Sequence, residues 1–147
     1  MSDEFFDKID AKLGQQNEAK VAKATSEDIN RAFVQDVVPR LADIAEQYAA
    51  KCKERGMTVC VSSHTYSLTF TLRYKGGQER SLVGSASHDM NGKLSFEDHY
   101  PNDDGKRYKS LPTEWYDASN WSDDKFEAKL KKTIEDFVFY ADRFGGV

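Results

Sequence analysis

Imidazole is the side chain best suited to proton transfer and metal ligation near neutral pH, so the three histidines are weighed first. Two stand beside carboxylates, as His88-Asp89 and Asp98-His99, and His64 stands apart. A metal site needs converging ligands, and a general base needs a third group to hold it. No HExxH, CxxC or H-x-E…C spacing occurs. Strand parity also sends His88 and His99 to opposite faces of a sheet. All three are read as structural or surface residues. Asn102-Asp103-Asp104-Gly105 has the composition of a calcium-loop centre, but the flanking ligand positions hold Tyr100 and Leu111, so it is read as a turn. Cys52 and Cys60 have no histidine nearby in sequence, and no serine sits in a G-x-S-x-G elbow. The glycine pairs 76–77 and 145–146 lack any phosphate-loop context. The expectation is a binding protein rather than an enzyme, with no catalytic residue, metal or cofactor.

Residue types suited to partner binding are concentrated between Tyr100 and Trp121. Trp115, Tyr116, Tyr108, Tyr100 and Arg107 are of the kinds that dominate interface hot spots, and loops of this length are uncommon unless functional. The competing reading makes Trp115 and Trp121 plugs for the open end of a sheet–helix sandwich, with Trp121 stapling the helix that follows. Lys106-Arg107-Tyr108-Lys109, with Lys125, Lys129, Lys131 and Lys132, mixes charge and aromatic surface as single-strand nucleic-acid binders do. Glu127, Asp136 and Asp142 share the last helix and the net charge is −4, which disfavours that partner.

These residues need elements to position them. Tyr66–Tyr74 alternates Tyr, Leu, Phe, Leu, Tyr with Ser, Thr, Thr, Arg, the pattern of a half-buried antiparallel strand. Strands are predicted at Met57–Ser62, Thr65–Lys75, about Glu79–His88, Leu94–Tyr100 and, as a possible fifth, Lys106–Leu111. Keeping the apolar set on one face demands odd hairpin loops. A 76–78 loop pairs Leu72 with Leu82, Phe70 with Gly84 and Leu68 with Ala86. The Asn91-Gly92 hairpin pairs Met90 with Leu94 and His88 with Phe96. The outer face then carries Ser67, Thr69, Thr71, Arg73, Ser81, Val83, Ser85, Ser87, Ser95, Glu97 and His99. It is hydroxyl-rich and has few charges to repel another chain.

Helical spacing flanks the strands. Phe5, Phe6, Ile9 and Leu13 suggest a short amphipathic helix over 3–13, with Ser2 as a cap, followed by a polar tether through residue 24. Thr25 with Asp28 suggests a capping box. The stripe Ile29, Phe33, Val37, Leu41, Ile44, Tyr48 and Cys52 keeps phase across Pro39, which predicts one kinked helix ending near Gly56. Ser122 opens a last helix striped by Phe126, Leu130, Ile134, Phe137, Val138, Ala141 and Phe144.

The 147 residues fit one domain, organised as 1–24 helix and tether and 25–147 core. The fold class is α+β: a two-layer, four- or five-stranded antiparallel meander covered on one face by the long and C-terminal helices. Two cysteines make no disulfide framework, so both are expected to be free and mostly buried in a reducing compartment. The N-terminus lacks a signal-peptide core, and no apolar run reaches membrane length, so a soluble cytoplasmic protein is expected. The function expected is a non-enzymatic protein-binding module of adaptor, inhibitor or immunity type. It would use the aromatic loop, Arg73 on the outer sheet face and the Phe5–Phe6 helix, and bind another protein or a second copy. The alternative is a ligand pocket between sheet and helices, lined by Tyr66, Tyr74, His88 and the 112–121 loop.

Overall fold

A computed structural model describes residues 2–147, with side chains from Asp3 onward, so the expected Ser2 cap lies outside the described side chains. The element order is α1 (Ser2–Glu54), β1 (Thr58–His64), β2 (Ser67–Arg73), β3 (Glu79–Ala86), β4 (Leu94–Pro101), β5 (Arg107–Ser110), α2 (Asp123–Phe139) and a short 3-10 turn, Ala141–Phe144. The five strands form one antiparallel meander in chain order. Both helices pack on the sheet and against each other. The α+β class, the meander and the two covering helices are as expected.

The largest departure is at the N-terminus. Where a short helix, a tether and a second helix were expected, α1 is one helix of 53 residues that runs through Pro39. Residues 15–24 lack an apolar face but are rich in Ala, Lys, Gln and Glu, which are strong helix formers. Loss of periodicity marked loss of burial, not loss of helix. Because residues 30–54 are held on the sheet, the N-terminal stretch needs only propagation from an existing helix. Thr25 is not an N-cap; its hydroxyl donates to the Val21 carbonyl oxygen at 2.9 Å inside the helix.

The core-facing stripe of α1 is Val34, Val37, Val38, Leu41, Ala45, Ala49 and Cys52. It is rotated from the predicted one. Ile29 is exposed, and Phe33, Ile44 and Tyr48 sit half-buried at the rim. Ala45 and Ala49 let the backbone approach the sheet, and the larger side chains wedge its flanks. In α2, Phe126, Leu130, Thr133 and Phe137 are buried, while Val138 and Phe139 are exposed. Ser122 holds the N-cap position but makes no side-chain cap bond.

Hairpin parity is as expected, and the registers are shifted. Leu72 pairs with Arg80, Phe70 with Leu82 and Leu68 with Gly84, two residues from the predicted partners. Tyr74 N–H donates to the Gln78 carbonyl oxygen at 2.8 Å, which makes the loop 75–77. The cause is Gly77, which holds φ +95. A three-residue hairpin loop puts its left-handed residue last, and a 76–78 loop would have forced Gln78 into that conformation. In the second hairpin Gly84 faces Phe96 and Ala86 faces Leu94, four residues from prediction. Ser87 N–H already donates to Lys93 O, and Asn91 and Gly92 both have positive φ, so His88 lies in the turn rather than in β3. Tyr66 is likewise an exposed turn residue between β1 and β2. Cys52 and Cys60 are both free, but only Cys52 is buried; Cys60 shares the solvent-facing parity of Thr58 and Ser62 on β1. Among the described residues no helix is long and apolar enough to cross a membrane.

Candidate functional site

The residues singled out from sequence fall in three places. The first is the aromatic corner. Tyr116 exchanges two backbone hydrogen bonds with Leu94, at 2.7 and 2.8 Å, so the 112–121 loop covers the β4 edge beyond the reach of β5. Tyr116 is only 3 % exposed. Its ring meets Trp121 edge-on at 5.1 Å, and Trp121 stacks on Phe96 at 5.7 Å. Burial and the hydrogen bond to Glu114 push the Tyr116 phenol up to about 12. Tyr116 and Trp121 thus plug the sandwich, and Trp115 is half-buried beside them. Trp121 Nε1 donates to Asp123 Oδ1 at 2.9 Å.

The second place is the far end of the sheet. Tyr100 stacks on Tyr108 at 6.1 Å, and the Tyr108 hydroxyl bonds Asp104. Arg107 and Tyr108 on β5 and Arg73 at the end of β2 are exposed. On the outer face, Thr71 and Ser81 hydroxyls lie 3.0 Å apart, and His99 Nε2 lies 3.1 Å from Glu97 Oε2. His64 ends β1 and His88 lies in the β3–β4 turn. Among the described residues no group of three or more His, Cys, Asp and Glu gathers as a metal site.

The third place is the N-terminal part of α1. Every residue from Asp3 to Thr25 is exposed. At 1.5 Å per residue this is an arm of about 35 Å. Phe5 is 59 % exposed and Phe6 57 %, and Ile9, Leu13 and Val21 are exposed with them. Contact with the domain begins at the base of the arm. There Asn30 Nδ2 donates to the Asn91 carbonyl oxygen at 2.9 Å, and Gly92 packs closely on Arg31 and the Glu27 carbonyl.

Sequence reasoning missed one site. A cavity of about 290 Å³ lies between β4 and the end of α2, and Arg80 lines it. Arg80 is only 8 % exposed. Its guanidinium lies 5.8 Å from the Tyr100 ring centroid and 5.3 Å from that of Tyr140. Arg80 Nε and the Tyr74 hydroxyl are buried without hydrogen-bond partners. Burial pushes the Tyr74 phenol up, and the Arg80 guanidinium beside it, through hydrogen bonding first and its charge second, only partly opposes this. This is not the pocket expected from the sequence, because Tyr66, Tyr74, His88 and the 112–121 loop do not line it. The available signal was parity: Arg80 shares the core-facing side of β3 with Leu82 and Gly84.

Comparison with protein families, curated proteins and solved structures finds no match for this chain.

Proposed function

We propose that this protein is a non-enzymatic protein-binding module that works through its helical arm, and that its first partner is a second copy of itself. The observation that supports this is the exposure of Phe5, Phe6, Ile9 and Leu13 on the part of α1 that lies before its contacts with the domain. Apolar ridges of this kind usually mark interaction surfaces. The charge pattern favours an antiparallel copy. Asp3, Glu4, Asp7 and Asp10 stand against one lysine in the first ten residues, whereas Lys12, Lys20 and Lys23 stand against Glu18 in the next fourteen. Two arms crossing near Leu13 bring each acidic end onto the other's basic stretch. They also set Phe5 opposite Val21 along the ridge Phe5, Ile9, Leu13, Asn17 and Val21, whose steps of four suit ridge-in-groove packing.

The aromatic loop contributes less than its composition implied, because Tyr116 is core. Arg107, Tyr108 and Arg73 remain as exposed contacts for a further partner. The ridge is short, so the dimer should dissociate on the order of 1–100 μM. Sedimentation over that range tests it. The full chain should pass from monomer to dimer, and a Phe5→Glu, Leu13→Glu chain should stay monomeric at all concentrations. A wild-type chain that is monomeric at several hundred micromolar contradicts the proposal.

A further inference from the structure

We infer that the Arg80 cavity is a binding site for a small monocarboxylate, held by the Arg80 guanidinium between Tyr100 and Tyr140. A buried cation without a counter-ion is costly, and the cost is met by an anion that supplies the missing hydrogen bonds. Among the described residues, Arg80 makes no ion pair and its Nε has no hydrogen-bond partner, although the residue is more than nine-tenths buried; the neutral Tyr74 hydroxyl is the one side chain that its guanidinium leans on. The other cations of the cavity are satisfied. Lys132 Nζ lies 3.0 Å from Asp136 Oδ2, and Arg143 Nη1 lies 3.6 Å from Asp103 Oδ1.

The same lining selects the ligand's charge. Asp98, Asp103 and Asp136 face the cavity, which gives three carboxylates against Arg80, Lys132 and Arg143. Two of these carboxylates are matched by Lys132 and Arg143. Asp98 pairs across the sheet with Leu82, two residues along the same face from Arg80; it makes no ion pair within 4 Å, and its one side-chain hydrogen bond is from the Thr133 hydroxyl, at 3.5 Å. A single negative charge can be balanced at Arg80. A dianion such as sulfate would place its second charge against Asp98. A planar carboxylate also matches the fork of the guanidinium, and the two tyrosine rings favour a flat, partly apolar body behind it. The volume of about 290 Å³ suits a small molecule and not a chain segment.

The Arg80 Nε–H resonance in proton–nitrogen correlation spectra reads this site without any substitution. Sodium benzoate titrated at constant ionic strength should shift that resonance and the Tyr100 and Tyr140 amides saturably, with half-saturation on the order of 1 mM. Acetate should shift the same signals more weakly, and sulfate should leave them in place. Arg80→Lys keeps the charge and loses the fork, so benzoate should bind about tenfold more weakly. Its thermal melt confirms that it folds, and if it does not, the wild-type resonance decides. Absence of a saturable shift with benzoate, or an equal shift with sulfate, overturns the inference.

Discussion

Asp123 ties three parts of the molecule together. Its carboxylate accepts from Arg40 Nε and Nη2 on α1, at 3.2 and 3.3 Å, and from Trp121 Nε1, while it stands in the first turn of α2. The Arg40 hydrogen bonds hold the carboxyl below the ordinary range; burial pulls the other way, and Trp121 adds to the lowering. A lowered native pKa stabilises the fold fully above the unfolded value of about 3.9, and that stability is lost as pH falls through the native value. Both partners are partly exposed, so solvent screening discounts the effect. Asp123→Asn should cost about 0.5–1 kcal/mol in urea unfolding at pH 7, and less at low pH as the native carboxyl becomes protonated. An equal penalty at both pH values would show that shape, not charge, is what matters there. Arg80 is the second informative residue. A charged residue within a strand reads as outward-facing, and only its parity with Leu82 and Gly84 betrays its place over the core.

At the scale of elements, α1 carries two different jobs in one helix. Residues 30–54 are held by burial, and residues 3–25 by propensity alone. Gly14 sits in the second part, and nothing lies within 4 Å of a Cβ added there. Gly14→Ala should therefore raise helical ellipticity by stabilising the arm locally, by about 1 kcal/mol, and leave the cooperative melt of the sheet unchanged. A shifted melting temperature would mean that the arm is coupled to the domain. The strands were legible because period-two alternation fixes which face each side chain takes. Their offsets were not, because a register depends on which residue accepts positive φ. Gly77 rather than Gln78 decided the first hairpin, and Asn91 with Gly92 decided the second. The helix stripe was displaced for a similar reason: large side chains advertise burial in a sequence, but Ala45 and Ala49 are what the sheet actually accepts. Tyr116 illustrates the limit for sites. Its residue type fits both a hot spot and a core plug, and only its pairing with Leu94 separates them.

At the scale of the whole molecule, a two-layer domain with a polar outer sheet face carries a helical arm of about 35 Å. Among the described residues nothing covers the apolar ridge on that arm, which is why the proposed function is association through it. Hydrogen exchange at the amides of residues 3–25, followed as protein concentration rises through the micromolar range, tests this most directly. Free helical arms exchange quickly because each hydrogen bond opens by local fraying, whereas paired arms gain protection with occupancy of the complex. Protection should increase with concentration across Phe5–Val21, with the amides of β2 and β3 protected throughout. Rapid exchange across the arm at every concentration, beside a fully protected sheet, would contradict it.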